Sequence, residues 1–297
     1  MSARVFFLFL ATAFLSGCYL APGLFTSSLD VQQDGTFTFR YRGEIKIIAP
    51  DYKDGFKLPV PPVWKDSFAS CYDEATGLRQ GKPRDCTPAD VADQKSRWEE
   101  GSKRKDQMRH QGLKKMFGVD PTNEQDMQRL AAEVLRQPGW KAVAYRGDAS
   151  FDVDYELSGP LDRELVFPVL PNMDLIAPFV IIRPREDGTV SVKAPGYISG
   201  GTIRLLSTQF GSVSDAEAFK KEGVPKGWAS KGTFVIRTHG RVLEQNGQDM
   251  SATQAAGLPT TLSWTIDDKL ETSPIATIDF AQGGGRGAFE KRKSEAK

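Results

Sequence analysis

Histidine occurs twice in 297 residues and cysteine three times, and neither falls in a spacing that carries chemistry. There is no G-x-S-x-G elbow, no H-E-x-x-H, no G-x-x-x-x-G-K-[ST] and no G-x-G-x-x-G after a strand. Hydrolytic nucleophile systems draw on a histidine base. Only His110, in a basic helical stretch, and His239, in Thr238-His239-Gly240, are available. Zinc requires clustered thiolate and imidazole ligands, and without a C-x2-C pair the metal alternative is reduced to Cys71 and Cys86 completed by one of those histidines. An excess of one charge is also missing: 39 Lys plus Arg face 38 Asp plus Glu. No global preference for nucleic acid or membrane follows. Beyond the first residues no apolar run approaches the length of a membrane span; the longest, such as 177–182, are strand-sized. No cofactor and no metal are expected.

What is present begins at the N-terminus. After Arg4, an apolar stretch from Val5 to Phe14 leads into Leu15-Ser16-Gly17-Cys18. A charged start, a short apolar run and small residues before a cysteine form a secretory signal pattern, and this one resembles a bacterial lipoprotein signal. The resemblance implies cleavage between Gly17 and Cys18, a diacylglyceryl group on the Cys18 thiol and acylation of the freed amine. The competing readings are an ordinary cleaved signal with an incidental cysteine, or an uncleaved anchor, for which the stretch is too short. Two or three acyl chains satisfy the two-signal requirement for stable anchoring. The chain after Cys18 is then expected outside the cytoplasm. Tyr19 stands where enteric inner-membrane lipoproteins carry aspartate, which favours the outer membrane, facing the periplasm. In an oxidising compartment Cys71 and Cys86 are expected to form a disulfide.

The chain divides by composition. Residues 1–17 are the signal and 18–28 read as a tether, with Pro22, Gly23 and a Thr-Ser-Ser run. A single domain is expected over 29–280, interrupted by a disulfide and helical insertion at about 58–139, and 281–297 reads as a disordered basic tail. Leu29 and Val31 lead through Asp34-Gly35 into Phe37, Phe39 and Tyr41, alternating with polar residues as in a half-buried hairpin. Two helices follow, at 88–117 with a thin apolar stripe and at 122–138, where Met127, Leu130, Ala131, Val134 and Leu135 share a face and Thr122 with Gln125 can make a capping box. From Trp140 the pattern is β again, with strands at 142–145, 151–157, 179–182, 190–193, 233–237, 241–244, 261–266 and 275–280. Strands, then helices, then a long antiparallel run predict an α+β fold: a curved, mostly antiparallel sheet with a helical insertion packed on one face.

Three constellations merit weighing. Asp152, Asp154 and Glu156 share one strand face and, with Asp148, could hold a cation, although a solvated face looks the same. Lys103, Arg104, Lys105 and Arg109 dominate a helical stretch that could rest on anionic headgroups; a solvated helix face is the plainer alternative. His239 with a nearby carboxylate, such as Asp267 or Glu244, is the base and acid combination to test.

In the late segment, Gly240-Arg241-Val242, Asn246-Gly247 and Trp264, with the early Asp34-Gly35, resemble the layout of the LppM-type envelope lipoprotein domain. The resemblance implies a curved sheet with helices that holds a lipid or glycolipid. The expected function is thus a non-catalytic, lipid-anchored envelope module that binds an amphipathic ligand or a protein partner and no nucleic acid. Phe37, Phe39, Phe151, Tyr155, Val180 and Trp264 are the candidate ligand-lining residues. An envelope hydrolase using His239, or a subunit of an envelope assembly, are the alternatives.

Overall fold

A computed structural model describes residues 19–48, 63–73, 81–170, 178–198, 229–251 and 258–280. The expected lipoprotein signal, Cys18 and the expected 281–297 tail lie outside the described residues. The chain forms two compact units, residues 58–115 and the remainder.

The larger unit opens with β1 (Tyr19–Val31) and β2 (Thr36–Ile48), an antiparallel hairpin. Its turn is set by Asp34, whose Oδ1 accepts from both the Thr36 amide (2.9 Å) and hydroxyl (2.6 Å), while Gly35 adopts a positive φ of 77°. The expected tether at 18–28 is corrected, because residues 19–28 are the first ten of the thirteen residues of β1. Tyr19–Pro22 pair with β2, Leu24 onward pairs also with β10, and Leu20, Ala21 and Phe25 are buried. Pro22 and Gly23, which suggested a linker, mark a register shift in the β1–β2 ladder.

The smaller unit holds β3 (Cys71–Tyr72), β4 (Pro83–Arg84) and most of α1 (Pro88–Phe117). The Cys71–Cys86 disulfide is formed, with a Cα–Cα distance of 5.3 Å. α1 starts in a capping box that the sequence reading missed: the Asp90 amide donates to Thr87 Oγ1 (3.2 Å), and Asp90 Oδ2 accepts from the Thr87 amide (2.9 Å). The Arg84 guanidinium, 2.9 Å away, and these Thr87 donors hold the Asp90 carboxyl well below the usual carboxylate range.

The chain then returns to the larger unit with α2 (Glu124–Leu135), β5 (Trp140–Gly147), β6 (Ser150–Pro160), β7 (Leu165–Phe167), β8 (Val180–Pro184), β9 (Thr189–Lys193), β10 (Lys231–Thr238), β11 (Arg241–Gln245), β12 (Asp249–Ser251), β13 (Thr260–Ile266) and β14 (Ile275–Asp279). Its N-cap is Asn123, whose side chain accepts from the Asp126 amide. Thr122, the expected cap, instead donates to Asp120. α2 belongs with the sheets and not with the disulfide unit, so the insertion is shorter than the expected 58–139. Its apolar face decides this, since Met127, Leu130, Ala131 and Val134 are buried.

The fold is α+β, and its strands fall into two sheets. The larger has the order β12-β13-β10-β1-β2-β6-β5, and the smaller β11-β14-β9-β8-β7. Among the described pairings only β1 with β10 is parallel. The sheets meet through aromatic side chains: Phe39, Tyr41 and Tyr155 of the larger sheet lie 4.7–5.2 Å, centroid to centroid, from Phe167 of the smaller. Tyr197 sits 4.5 Å from Phe25 and 5.4 Å from Phe234, and Phe234 stacks on Trp264.

Burial in this core raises the hydroxyl pKa of three tyrosines: Tyr155 to about 12, and Tyr41 and Tyr197 also upward from their ordinary value. A raised acid pKa in the fold means stability that is intact below about pH 10 and lost as pH climbs through the folded value. For Tyr155 the window is pH 10 to 12. An ultraviolet titration is therefore expected to show these three ionising only together with loss of the near-ultraviolet circular dichroism. Ionisation of all seven tyrosines before that loss would contradict the packing.

Candidate functional site

The inner face of the larger sheet is covered in two parts. Alternation places Phe37, Phe39, Tyr41, Ile45 and Ile47 of β2 on one face, together with Phe151, Val153 and Tyr155 of β6. The smaller sheet covers the Phe39, Tyr41 and Tyr155 end. α2 covers the Ile45, Ile47, Phe151 and Val153 end, packing beside β5. Between helix and strands lies an apolar cavity of about 20 Å³. Leu20, Ile45, Ile47, Phe151 and Val153 form its floor, Leu130 and Val134 its helical wall, and Trp140, Val143 and Leu170 close it. It is wide enough for a water molecule, but its lining offers water no polar partner.

The six candidate ligand-lining residues are all buried, between 0% and 6% exposed. Phe151 alone borders the cavity. Phe39 and Tyr155 pack against Phe167, and Trp264 against Phe234, within the intersheet core. The cavity draws instead on Leu20, Ile45, Ile47, Leu130 and Val134. A signal for them exists in the sequence: the β2 alternation continues past Gly43, and Leu130 and Val134 lie at i and i+4 of the helix.

The acidic face of β6 is a register device. Asp152 pairs with Arg146 (2.6 Å), Asp154 with Arg42 (2.6 Å), and Glu156 with both Arg40 and Lys141 (2.7 Å each). Arg40 continues to Asp30 (2.6 Å) and Asp30 to Arg237 (3.2 Å), so one chain of alternating charge crosses β5, β6, β2, β1 and β10. Lys141 and then Arg40 hold the Glu156 carboxyl below its ordinary value. Carboxylates so committed are poor cation ligands, and no cluster of metal-ligating side chains forms among the described residues. Exposed pairs of this kind contribute roughly 0–1 kcal/mol each; their effect is to penalise a shifted strand register.

No family model matches the chain, and no curated protein matches it in sequence. Among solved structures it is similar to the folded domain of the LppM protein of Mycobacterium tuberculosis, determined by NMR, at 8% identity over 88% of this chain and 92% of that one, with a TM-score of 0.21. A likeness this slight carries no functional argument.

His239 lies where the chain leaves β10 in the larger sheet for β11 in the smaller. Its Nδ1 is 3.3 Å from the Gln33 side-chain amide. Neither expected carboxylate serves it: Asp267 Oδ1 accepts from the Lys269 amide (2.9 Å), and Glu244 Oε2 accepts from the Thr277 hydroxyl (3.4 Å). His110 lies 3.5 Å from Asp106 on its own helix. The glycine after His239 has a packing reason: a Cβ there would come within 2.6 Å of Ile278 and 2.8 Å of Phe280.

Lys103, Arg104, Lys105 and Arg109 all lie on α1, but not alike. Arg109 reaches Asp106 at 3.7 Å, while the other three are exposed. No described helix is long and apolar enough to cross a membrane.

Proposed function

We propose that the protein is a lipid-anchored envelope lipoprotein without a catalytic role, whose body holds the apolar end of an amphipathic ligand beneath α2. The anchor rests on Leu15-Ser16-Gly17-Cys18, and Tyr19 after it favours the outer membrane. The observation that carries the ligand reading is the cavity between α2 and the strand ends, lined by apolar side chains. About 20 Å³ accepts one methyl or methylene group, so the tip of a chain enters and the rest extends along the seam or displaces α2. The hydrolase reading loses support because the His239 ring meets Gln33 and not an acid. With the body starting directly at Tyr19, the acyl group and β1 are adjacent in the chain, which holds the site close to the bilayer.

Native mass spectrometry of the protein extracted gently from membranes is expected to show a bound amphiphile in addition to the acyl groups on Cys18. Val134→Ile fills the void with one methylene, so it is expected to raise stability by about 1 kcal/mol and to lower the amphiphile occupancy. Protein carrying only its own acyl groups would end the ligand reading. The anchor has its own test: Cys18→Ala is expected to move the protein from the membrane to the soluble fraction, and full retention would overturn it.

A further inference from the structure

α1 carries its charge unevenly. Residues 88–100 hold Asp90, Asp93, Glu99 and Glu100 against Lys95 and Arg97, whereas residues 101–115 hold six cations against Asp106 alone. The helix dipole accounts for Lys114 and Lys115 in the last turn. It does not account for Lys103 and Arg104, which lie roughly three turns earlier, outside the reach of a terminus. Ion pairing does not account for them either. Arg97 is met by Asp93 at 2.7 Å and Arg109 by Asp106 at 3.7 Å, but Lys103, Arg104, Lys114 and Lys115 have no anionic partner among the described residues.

Helical phase separates the cations further. The covered side of α1 runs through Gln94, which bonds the Ser70 amide (3.1 Å) and carbonyl (3.2 Å), and Trp98, whose ring lies 5.9 Å from Trp64. At about 100° per residue, Lys105 and Arg109 fall in phase with this side, Arg109 half-buried and Lys105 exposed. Lys103, Arg104, Lys114 and Lys115 fall on the other, together with Gln107 and Gln111, with Met108 at its edge, and every one of these seven is exposed. The result is a ridge roughly 18 Å long over residues 103–115 with four cations and no carboxylate, Glu100 standing one turn before it, and a methionine 66% exposed at its edge.

We infer that this ridge is a docking surface for an anionic bilayer, with Met108 entering the headgroup region and the four cations on lipid phosphates. Charge complementarity selects the occupant: the cations are spread along a convex ridge without a recess, which suits diffuse headgroup charge and an inserted apolar side chain. The inference relies on the lipid-anchor reading only for bringing a bilayer within reach.

The test uses the chain from Tyr19 onward, without leader or acyl group, in flotation with phosphatidylglycerol-containing and with pure phosphatidylcholine vesicles at low salt. Binding is expected to the first and not to the second, and to weaken as salt is added. With each cation contributing about fivefold, the combined Lys103→Gln, Arg104→Gln and Lys114→Gln variant is expected to bind about 100-fold more weakly. Met108→Ser is expected to lose about fivefold, and Lys105→Gln, off the ridge, no more than about twofold. Glutamine matches lysine and arginine in helix propensity, and circular dichroism checks that α1 persists. No binding to anionic vesicles, equal binding to neutral ones, or an unaffected triple variant would overturn the inference. Because this protein lacks the anchor, such a result leaves the Cys18 reading to its own experiment.

Discussion

Phe167→Ala is expected to destabilise the larger unit by about 4 kcal/mol, a fall in melting temperature of about 10 °C. The residue ends β7, an edge strand of only three residues, and would look dispensable on length alone. Its ring, however, is completely buried and meets five others: Phe39, Tyr41, Trp140, Tyr155 and Phe179, at centroid distances of 4.7–6.0 Å. Four of these belong to the larger sheet, so the ring joins the two sheets near the α2 seam. Truncation removes those contacts and leaves a void that rigid neighbouring rings cannot collapse to fill. Val166, next to it and 37% exposed, provides the control. Val166→Ala is expected to cost below about 1 kcal/mol. Equal losses from the two variants, measured by thermal denaturation, would show that the intersheet ring cluster does not hold the sheets together.

Asn246→Ala is expected to cost about 3 kcal/mol, although the residue is only half-buried. Its side-chain oxygen accepts from Trp264 Nε1 (3.1 Å) and the Ile275 amide (2.9 Å), and its amide donates to the Ser273 carbonyl (2.8 Å). One side chain thereby fastens the end of β11 to β13 in the other sheet and to the start of β14. Alanine leaves the indole N–H of Trp264, a residue 1% exposed, without its acceptor. Asn246→Asp separates the contributions: it keeps both acceptor bonds but sets a carboxylate against the Ser273 carbonyl. Asn246→Asp is therefore expected to lose less than Asn246→Ala, since the indole and the Ile275 amide keep their acceptor and only the donor side goes. Equal losses from the two variants would mean that the acceptor side of Asn246 does not matter.

Local patterns were legible where one physical preference dominated. The α1 limits follow from composition and the surrounding turn residues. The β8–β9 hairpin follows from Asp187-Gly188-Thr189, where Asp187 bonds the Thr189 amide and hydroxyl just as Asp34 does for Thr36. Residues 19–28 were misleading because Pro22 and Gly23 are locally unfavourable to a strand, while the pairing that overrides them comes from β2 along Tyr19–Pro22 and, from Leu24 on, also from β10, more than 200 residues away. β7 and β12, three residues each, are too short to display a period. The cavity was out of reach for the same reason. Its lining alternates correctly along β2 and β6, but nothing local states that α2 covers that half of the strands and the smaller sheet the other.

The sequence alone determined the α+β class and the cysteine pair, and the expected lipobox is likewise a reading of sequence only. Each depends on residue types at short separations, where propensity, alternation and spacing act directly. The division into two sheets, the assignment of α2 to the sheet unit, the use of Asp152, Asp154 and Glu156 as cross-strand ion pairs and the cavity were decided only by tertiary structure. These depend on which distant backbones pair and which apolar faces meet, and burial by a non-local partner outweighs the local preference of a few residues. The sequence could name His239 but not its neighbours; only the fold placed it beside Gln33 at a crossing between sheets.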